Sequence, residues 1–340
     1  MIMNTPLLEV ENLKVQFGSP RWPVRAVDGV SFTMQSGERV GLVGESGCGK
    51  STTGRAILRL APIRSGVIRV AGQDVRSLRG TALKTLRRKA QMVFQDPFGS
   101  LNPRLTVGAA LAEPLGVHFG MPTAKRRARV RELLQSVEMD PEAVRRYPHE
   151  FSGGQRQRIG IARALALDPE LLIADEPVSA LDVSVQAQIL NLLKTLSRRR
   201  HCALLLIAHD LAVVRYMCAR VLVMYRGRIM EAGRTDELFR NPAHPYTAAL
   251  LAAVPDIKQR LAGDKPADAR VALQGDAALM DTGLPGCPLQ ARCPRAVLRC
   301  AVECPPLREL QPGRWSACHL AEDMMRSAGA EQSTGPGKFH

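Results

Sequence analysis

Gly44-Glu45-Ser46-Gly47-Cys48-Gly49-Lys50-Ser51 follows the apolar run Val40-Gly41-Leu42-Val43 and leads into a helix-forming segment. Strand, glycine loop and helix in that order decide the fold class. Backbone N–H groups can converge on phosphate oxygens only where bulky side chains are absent, which is what the glycines provide. The helix after the loop adds the positive end of its dipole. Lys50 supplies a point charge to phosphate, and Ser51 an oxygen suited to a hard cation. Thr52, next along the chain, belongs to the same phosphate-binding set.

Further along the chain lie residues that would complete such a site. Leu171-Leu172-Ile173-Ala174 is a buried-strand run ending in Asp175 and Glu176. A carboxylate at a strand end is placed to hold magnesium, and the adjacent Glu176 to take a proton from an attacking water. His209 ends another apolar run, Ala203 to Ala208, and could reach the same crevice. Gln95 follows Met92-Val93-Phe94 and could touch metal or water through its amide. Read alone, His209 is a packing or capping histidine and Gln95 a surface residue. Likewise Ser152-Gly153-Gly154-Gln155 alone is a loop before a basic helix bearing Arg156, Arg158 and Arg163.

The apolar runs at 40–43, 171–174, 203–208 and 221–224 are continuous rather than alternating, which predicts parallel strands covered on both faces. Val185, Ile189, Leu192, Leu193 and Leu196 form a helical stripe between two of them. Strands alternating with helices make an α/β domain. Leu8-Glu9-Val10 and Val30-Ser31-Phe32-Thr33-Met34 alternate, as antiparallel strands with one exposed face do. From Pro97 to Glu150 the chain reads as a helical insertion, with breaks at Pro114, Pro122, Pro141 and Pro148. The tail from about Ser327 to His340 has little to bury and reads as disordered.

The 340 residues suffice for one large domain with an appendage, or for two. Composition, at 45% hydrophobic and 23% charged, is that of a globular protein. No apolar run approaches the roughly 18–20 residues of a membrane span, and no secretory leader is visible, so the expected compartment is the cytosol. The net charge is +15, from 47 Lys and Arg against 32 Asp and Glu. Such an excess suits nucleic acid, an anionic membrane face, or simply solvated basic surfaces. Only 4% of residues are aromatic and none interleaves with the basic runs at 87–89, 125–127 and 198–200, which disfavours a base-stacking surface.

Taken in order, these segments resemble the ATP-binding subunit of an ABC transporter over about residues 7 to 250. Gly44 to Ser51 is similar to the Walker A loop, Gln95 to the Q-loop, and Ser152 to Gln155 to the signature motif. Asp175 ends a Walker B-like strand with Glu176 at the catalytic carboxylate position. Ser179-Ala180-Leu181-Asp182 resembles the D-loop and His209 the switch histidine. Phe17 falls best at the adenine-stacking position, with Trp22 as the other candidate. The resemblance implies an α/β P-loop NTPase (RecA-like) core with an N-terminal antiparallel β-subdomain, a helical insertion and a small Cys-rich C-terminal extension. The implied boundaries are 1–255 for the nucleotide-binding domain, with its helical part at about 97–165, and 256–326 for the extension.

Three segments narrow the resemblance to importers of the dipeptide/oligopeptide/nickel group: Phe94 to Pro103, Ala174 to Ser184 and Asn241 to Thr247. Membership of that group implies ATP and Mg²⁺ as cofactors, and ATP-driven dimerisation in which the signature serves the partner's nucleotide. Also implied are a second ATPase subunit, two transmembrane permeases, an extracytoplasmic solute-binding protein, no nucleic acid, and a peripheral place on the cytoplasmic face of the inner membrane. The expected cargo is di- or oligopeptide; nickel or another small solute is the alternative within the group. A nucleic-acid or ribosome ATPase is the alternative outside it. The chromosome type needs a long coiled coil before the signature, yet only about 100 residues separate Lys50 from Ser152.

Five of the eight cysteines crowd between Cys287 and Cys318. Cys287, Cys293, Cys300 and Cys318 resemble the four thiols of the same group's C-terminal extension, and Cys304 is additional. Four thiolates could bind a 4Fe–4S cluster or zinc, and free buried thiols are the third reading.

Overall fold

The computed structural model describes residues 5–19, 21–253, 273 and 285–326. The tail expected to be disordered and most of the linker before the cysteines lie outside the described residues. From the N-terminus run β1 (Leu8–Ser19), β2 (Trp22–Met34), β3 (Arg39–Val43), α1 (Lys50–Ile57), β4 (Ser65–Val70), β5 (Gln73–Asp74), α2 (Gly80–Lys89) and β6 (Ala90–Val93). Then come α3 (Pro97–Ser100), α4 (Val107–Phe119), α5 (Thr123–Ser136), 3₁₀ turns at Pro141–Arg145 and Pro148–Glu150, α6 (Gly153–Leu165), β7 (Leu171–Asp175), α7 (Val183–Arg199) and β8 (Ala203–Ala208). The remainder is α8 (Leu211–Met217), β9 (Arg220–Tyr225), β10 (Arg228–Arg234), α9 (Thr235–Arg240), α10 (Pro245–Ala252), α11 (Leu298–Val302), β11 (Arg308–Gln311) and β12 (Arg314–Ser316). The chain divides into two compact units, 1–40 with 51–208, and 41–50 with 209–340.

In the first unit an antiparallel sheet has the order β2-β1-β4-β5. Leu8, Val10, Val30, Phe32 and Met34 are buried, and the residues between them in β2 are exposed. That alternation gives the sheet one buried face. A second set of strands, β8-β7-β6, is parallel, with Leu171 opposite Ala203 and Asp175 opposite Ile207. Every residue of β7 and β8 is buried, as continuous apolar runs require when both faces are covered. The register leaves Asp175 at the carboxyl end of β7, the end where ligands bind in open α/β sheets.

The helical stretch departs from expectation at one proline. Pro114 lies inside α4 and does not end it. A proline there forfeits one ladder hydrogen bond, but Ala110, Leu111 and Leu115 are buried around it. Each fully buried leucine contributes roughly 1.5–3 kcal/mol, enough to carry the helix through. Pro122, Pro141 and Pro148 do sit at element starts, where the missing N–H costs nothing.

In the second unit the order is β11-β12-β10-β9-β3. The run 221–224 forms β9, which lies between β3 and β10 and pairs antiparallel with β10. The pairing with β10 follows from the two-residue turn Arg226-Gly227, whose φ values of 45° and 79° match a hairpin connection. β12 pairs antiparallel with β10, which attaches the cysteine-bearing segment to this unit.

Candidate active site

The phosphate loop of the second unit is tightly specified. A Cβ at Gly44 would lie 2.0 Å from the carbonyl oxygen of Met224 and 2.8 Å from Cys48 Sγ, so only glycine fits. Ser46 and Gly47 are exposed at the crown, while Cys48 and Gly49 are buried. Lys50 is buried, and its ammonium donates to the carbonyls of Gly44 at 2.8 Å and Glu45 at 2.9 Å. The lysine therefore bends back over the loop it serves. Burial pushes the Cys48 thiol up, so it packs as a neutral group beside Lys50. Gly227 N–H donates to the Cys48 carbonyl at 2.8 Å, tying the β9–β10 turn to the loop.

In the first unit α1 carries Ser51 and Thr52, both half-buried. Ser51 Oγ donates to Asp175 Oδ1 at 2.7 Å, and Arg55 Nη2 stands 4.0 Å from Asp175 Oδ2. Asp175 is fully buried. Hydroxyl and carboxylate oxygens side by side are a hard donor set that suits Mg²⁺. Glu176 takes a left-handed backbone, φ 43°, with its N–H donating to Ile207 O at 2.9 Å. Its Oε2 accepts from Gln95 Nε2 at 3.1 Å, so two of the expected catalytic residues meet.

Ser152 caps α6. Its hydroxyl accepts from Gln155 N at 3.3 Å, and Gln155 Oε1 accepts from Ser152 N at 3.0 Å. The reciprocal box leaves the N–H groups of Gly153 and Gly154 at a helix start, where an anion is favoured. Gly154 is required here, since a Cβ would lie 2.5 Å from Val185 Cγ1. Asp182 caps α7, accepting from Val185 N at 3.0 Å and from Ser184 Oγ at 2.7 Å. Those bonds hold its carboxyl below the usual carboxylate range, the Val185 N–H first among them. Phe17, 41% exposed, stands opposite Val24 on the β1–β2 hairpin, and Trp22, 81% exposed, opposite Ser19. His209 opens the second unit and is exposed.

Two comparisons of the whole sequence agree. A family model described as "ABC transporter" matches residues 27–179, and one described as "Oligopeptide/dipeptide transporter, C-terminal region" matches residues 230–300. The oligopeptide transport ATP-binding protein AppF of Bacillus subtilis is 49% identical over 298 residues, 87% of this chain and 90% of AppF. A protein of Brucella ovis, provisionally named a peptide import ATP-binding protein, is 48% identical over 317 residues, 92% of this chain and 98% of its own length.

This chain belongs to the ATP-binding subunits of ABC transporters, in the oligopeptide/dipeptide group.

Among solved structures, the ABC ATPase resembles the dimeric ATP-binding cassette MJ0796 bound to ADP and Pi. The TM-score is 0.62 and the identity 29%, over 67% of this chain and 98% of that one. It also resembles cbiO1 of Clostridium perfringens, part of the transporter complex cbiONQ, with TM-score 0.61 and 27% identity over 69% of this chain and 90% of the other. The subunit is an ATPase coupled to transport that uses ATP and Mg²⁺, pairs with another ATPase subunit and works with permeases. No helix among the described residues is long and apolar enough to cross a membrane.

The four cysteines singled out in the sequence line one small cavity of the second unit, together with His244, Leu289 and His319. As placed, no three His, Cys, Asp or Glu groups among the described residues converge closely enough to hold a metal ion. Burial pushes Cys287 up to about 12 and Cys318 up to about 11, with neighbouring thiols adding to both. The fifth thiol, Cys304, instead meets Arg228 Nη1 at 3.0 Å.

Sequence reading missed two residues at the phosphate loop. Tyr246 Oη accepts from Glu45 N at 2.9 Å, and Arg292 Nη1 lies 3.0 Å from Glu45 Oε2. Tyr246 falls in the segment Asn241 to Thr247 already marked by resemblance. Nothing in the local sequence marks Arg292, which is 247 positions from Glu45.

Proposed function

We propose that this ABC ATPase powers uptake of di- or oligopeptides across the cytoplasmic membrane. It would do so from the cytoplasmic face, with a second ATPase subunit, two permeases and an extracytoplasmic solute-binding protein. The observation that carries the reading is the pairing, in one chain, of the ABC transporter match with the oligopeptide/dipeptide C-terminal region. Relatives named for peptide or oligopeptide transport support it along nearly their whole length.

Lys50 and the N–H groups from Gly44 to Gly49 bind the β- and γ-phosphates, with Glu45, Ser46 and Thr52 shaping the loop. Phe17 stacks on adenine. Ser51 and Asp175 would hold Mg²⁺, which when bound offsets phosphate charge; Gln95 is the third candidate. Glu176 accepts a proton from the attacking water, and Gln95, 3.1 Å from its carboxylate, orients that carboxylate. His209 is the second group assigned to the γ-phosphate. Ser152, Gly153, Gly154 and Gln155, with Asp182 nearby in sequence, serve nucleotide on the partner subunit through the α6 N-terminus. ATP then joins the two subunits and hydrolysis releases them.

Cys287, Cys293, Cys300 and Cys318 are proposed to hold one 4Fe–4S cluster. The donor chemistry supports this: four soft thiolate ligands share a cavity. Their placement would have to tighten to reach ligating distances. Iron, sulfide and zinc analysis after anaerobic purification decides it; a metal-free, folded extension refutes the cluster.

The functional test is uptake in cells lacking the chain. Labelled dipeptide and oligopeptide uptake is expected to fall and to return with the wild-type gene but not with Glu176→Gln. Unchanged peptide uptake with reduced nickel uptake would overturn the cargo assignment.

A further inference from the structure

We propose that Arg292, in the cysteine-rich extension, is a positioning residue for the phosphate loop. This rests on the reading that the loop around Lys50 binds ATP.

Arg292 is 7% exposed and sits at the end of the turn that begins at Cys287, with its N–H donating to Leu289 O at 2.9 Å. Its Nη1 lies 3.2 and 3.0 Å from the two carboxylate oxygens of Glu45 and 3.3 Å from Tyr225 Oη. The guanidinium carbon is 5.8 Å from the centre of the Tyr225 ring. Tyr225 packs on Tyr246, ring centres 4.8 Å apart at 54°. Tyr246 in turn holds the Glu45 N–H at 2.9 Å, while Lys50 Nζ holds the Glu45 carbonyl, also at 2.9 Å. Glu45 is thus gripped through amide, carbonyl and carboxylate, all within the second unit.

The charge arithmetic gives the grip a function. Glu45 places a negative charge in a loop whose task is to receive a polyanion. In a poorly hydrated setting such a charge repels phosphate far more than it would in water. The buried guanidinium cancels it and fixes where it points. Removing the buried guanidinium leaves the half-buried Glu45 carboxylate without its cation beside the phosphate site, which is the costly direction. Arg292 therefore sets nucleotide affinity without touching nucleotide, and links the cysteine-rich extension to the phosphate loop.

MgATP binding by the full chain tests this, with hydrolysis measured alongside. Arg292→Ala is expected to weaken MgATP binding about tenfold and raise KM in parallel, with kcat at saturating ATP changed less than about twofold. Arg292→Lys, which keeps the charge but not the fork, should lose less. Glu45→Gln combined with Arg292→Ala should recover most of the lost affinity, because the stranded carboxylate is the lesion. A purely structural role would leave the double variant at least as weak as Arg292→Ala, and that result refutes the proposal. Wild-type affinity in Arg292→Ala refutes it too. Should Arg292→Ala not fold, the same cycle is read with Arg292→Gln, which removes the charge and keeps much of the bulk. Lys50→Ala separates the two readings: if it binds MgATP as wild type does, the phosphate-loop assignment itself fails. If it loses binding while Arg292→Ala does not, only the inference about Arg292 falls.

Discussion

Glu176 sits at φ 43°, a left-handed backbone that costs a non-glycine residue on the order of 1–3 kcal/mol. The cost is held in place by its N–H bond to Ile207 O and by Ser179, whose N–H and hydroxyl both donate to the Glu176 carbonyl. What accompanies the strain is a carboxylate that meets Gln95, while the neighbouring Asp175 meets Ser51. Glu176→Gln keeps the shape and removes the proton acceptor. Its kcat should fall by about 10²- to 10⁴-fold with MgATP affinity retained, as phosphate release and nucleotide binding would show. Gly44→Ala places a methyl 2.0 Å from a backbone carbonyl, which cannot swing aside. That variant should lose MgATP binding in a nucleotide titration.

Caps decide two of the elements that carry the site. Ser152→Ala removes the hydroxyl that accepts from Gln155 N, and should cost about 1 kcal/mol, read as a lowered Tm. Asp182 offers a pH test. Its carboxyl is held below the ordinary value of 3.8, chiefly by the Val185 N–H. Its charge therefore favours the folded state at pH values above 3.8, and that contribution is lost as pH falls below it. Asp182→Asn keeps the cap but has no charge to titrate. The Tm gap between wild type and Asp182→Asn should be constant near neutral pH and shrink below pH 3.8. An element with a clear period was legible: the stripe from Val185 to Leu196 became α7. Pro114 misled because local propensity is outvoted by buried leucines.

At the scale of the molecule, motif order made the ATPase readable, since phosphate loop, signature and strand-end carboxylate each need particular residues at particular spacings. The tie between Arg292 and Glu45 was not readable, because long-range ion pairs leave no local pattern. Two of the three basic runs have a plain structural account. Residues 87–89 close α2 and 198–199 close α7, where cations complement the helix dipole. Lys89 also meets Glu170 at 3.0 Å, and Arg200 pairs with Asp168. The central claim is that hydrolysis in this subunit is coupled to peptide entry. It is tested most directly by measuring MgATP hydrolysis in the purified transporter containing this chain, with and without peptide-loaded solute-binding protein. The account predicts a several-fold stimulation by peptide that Glu176→Gln abolishes. Hydrolysis indifferent to peptide but raised by a nickel chelate, by ribosomes or by nucleic acid would contradict it.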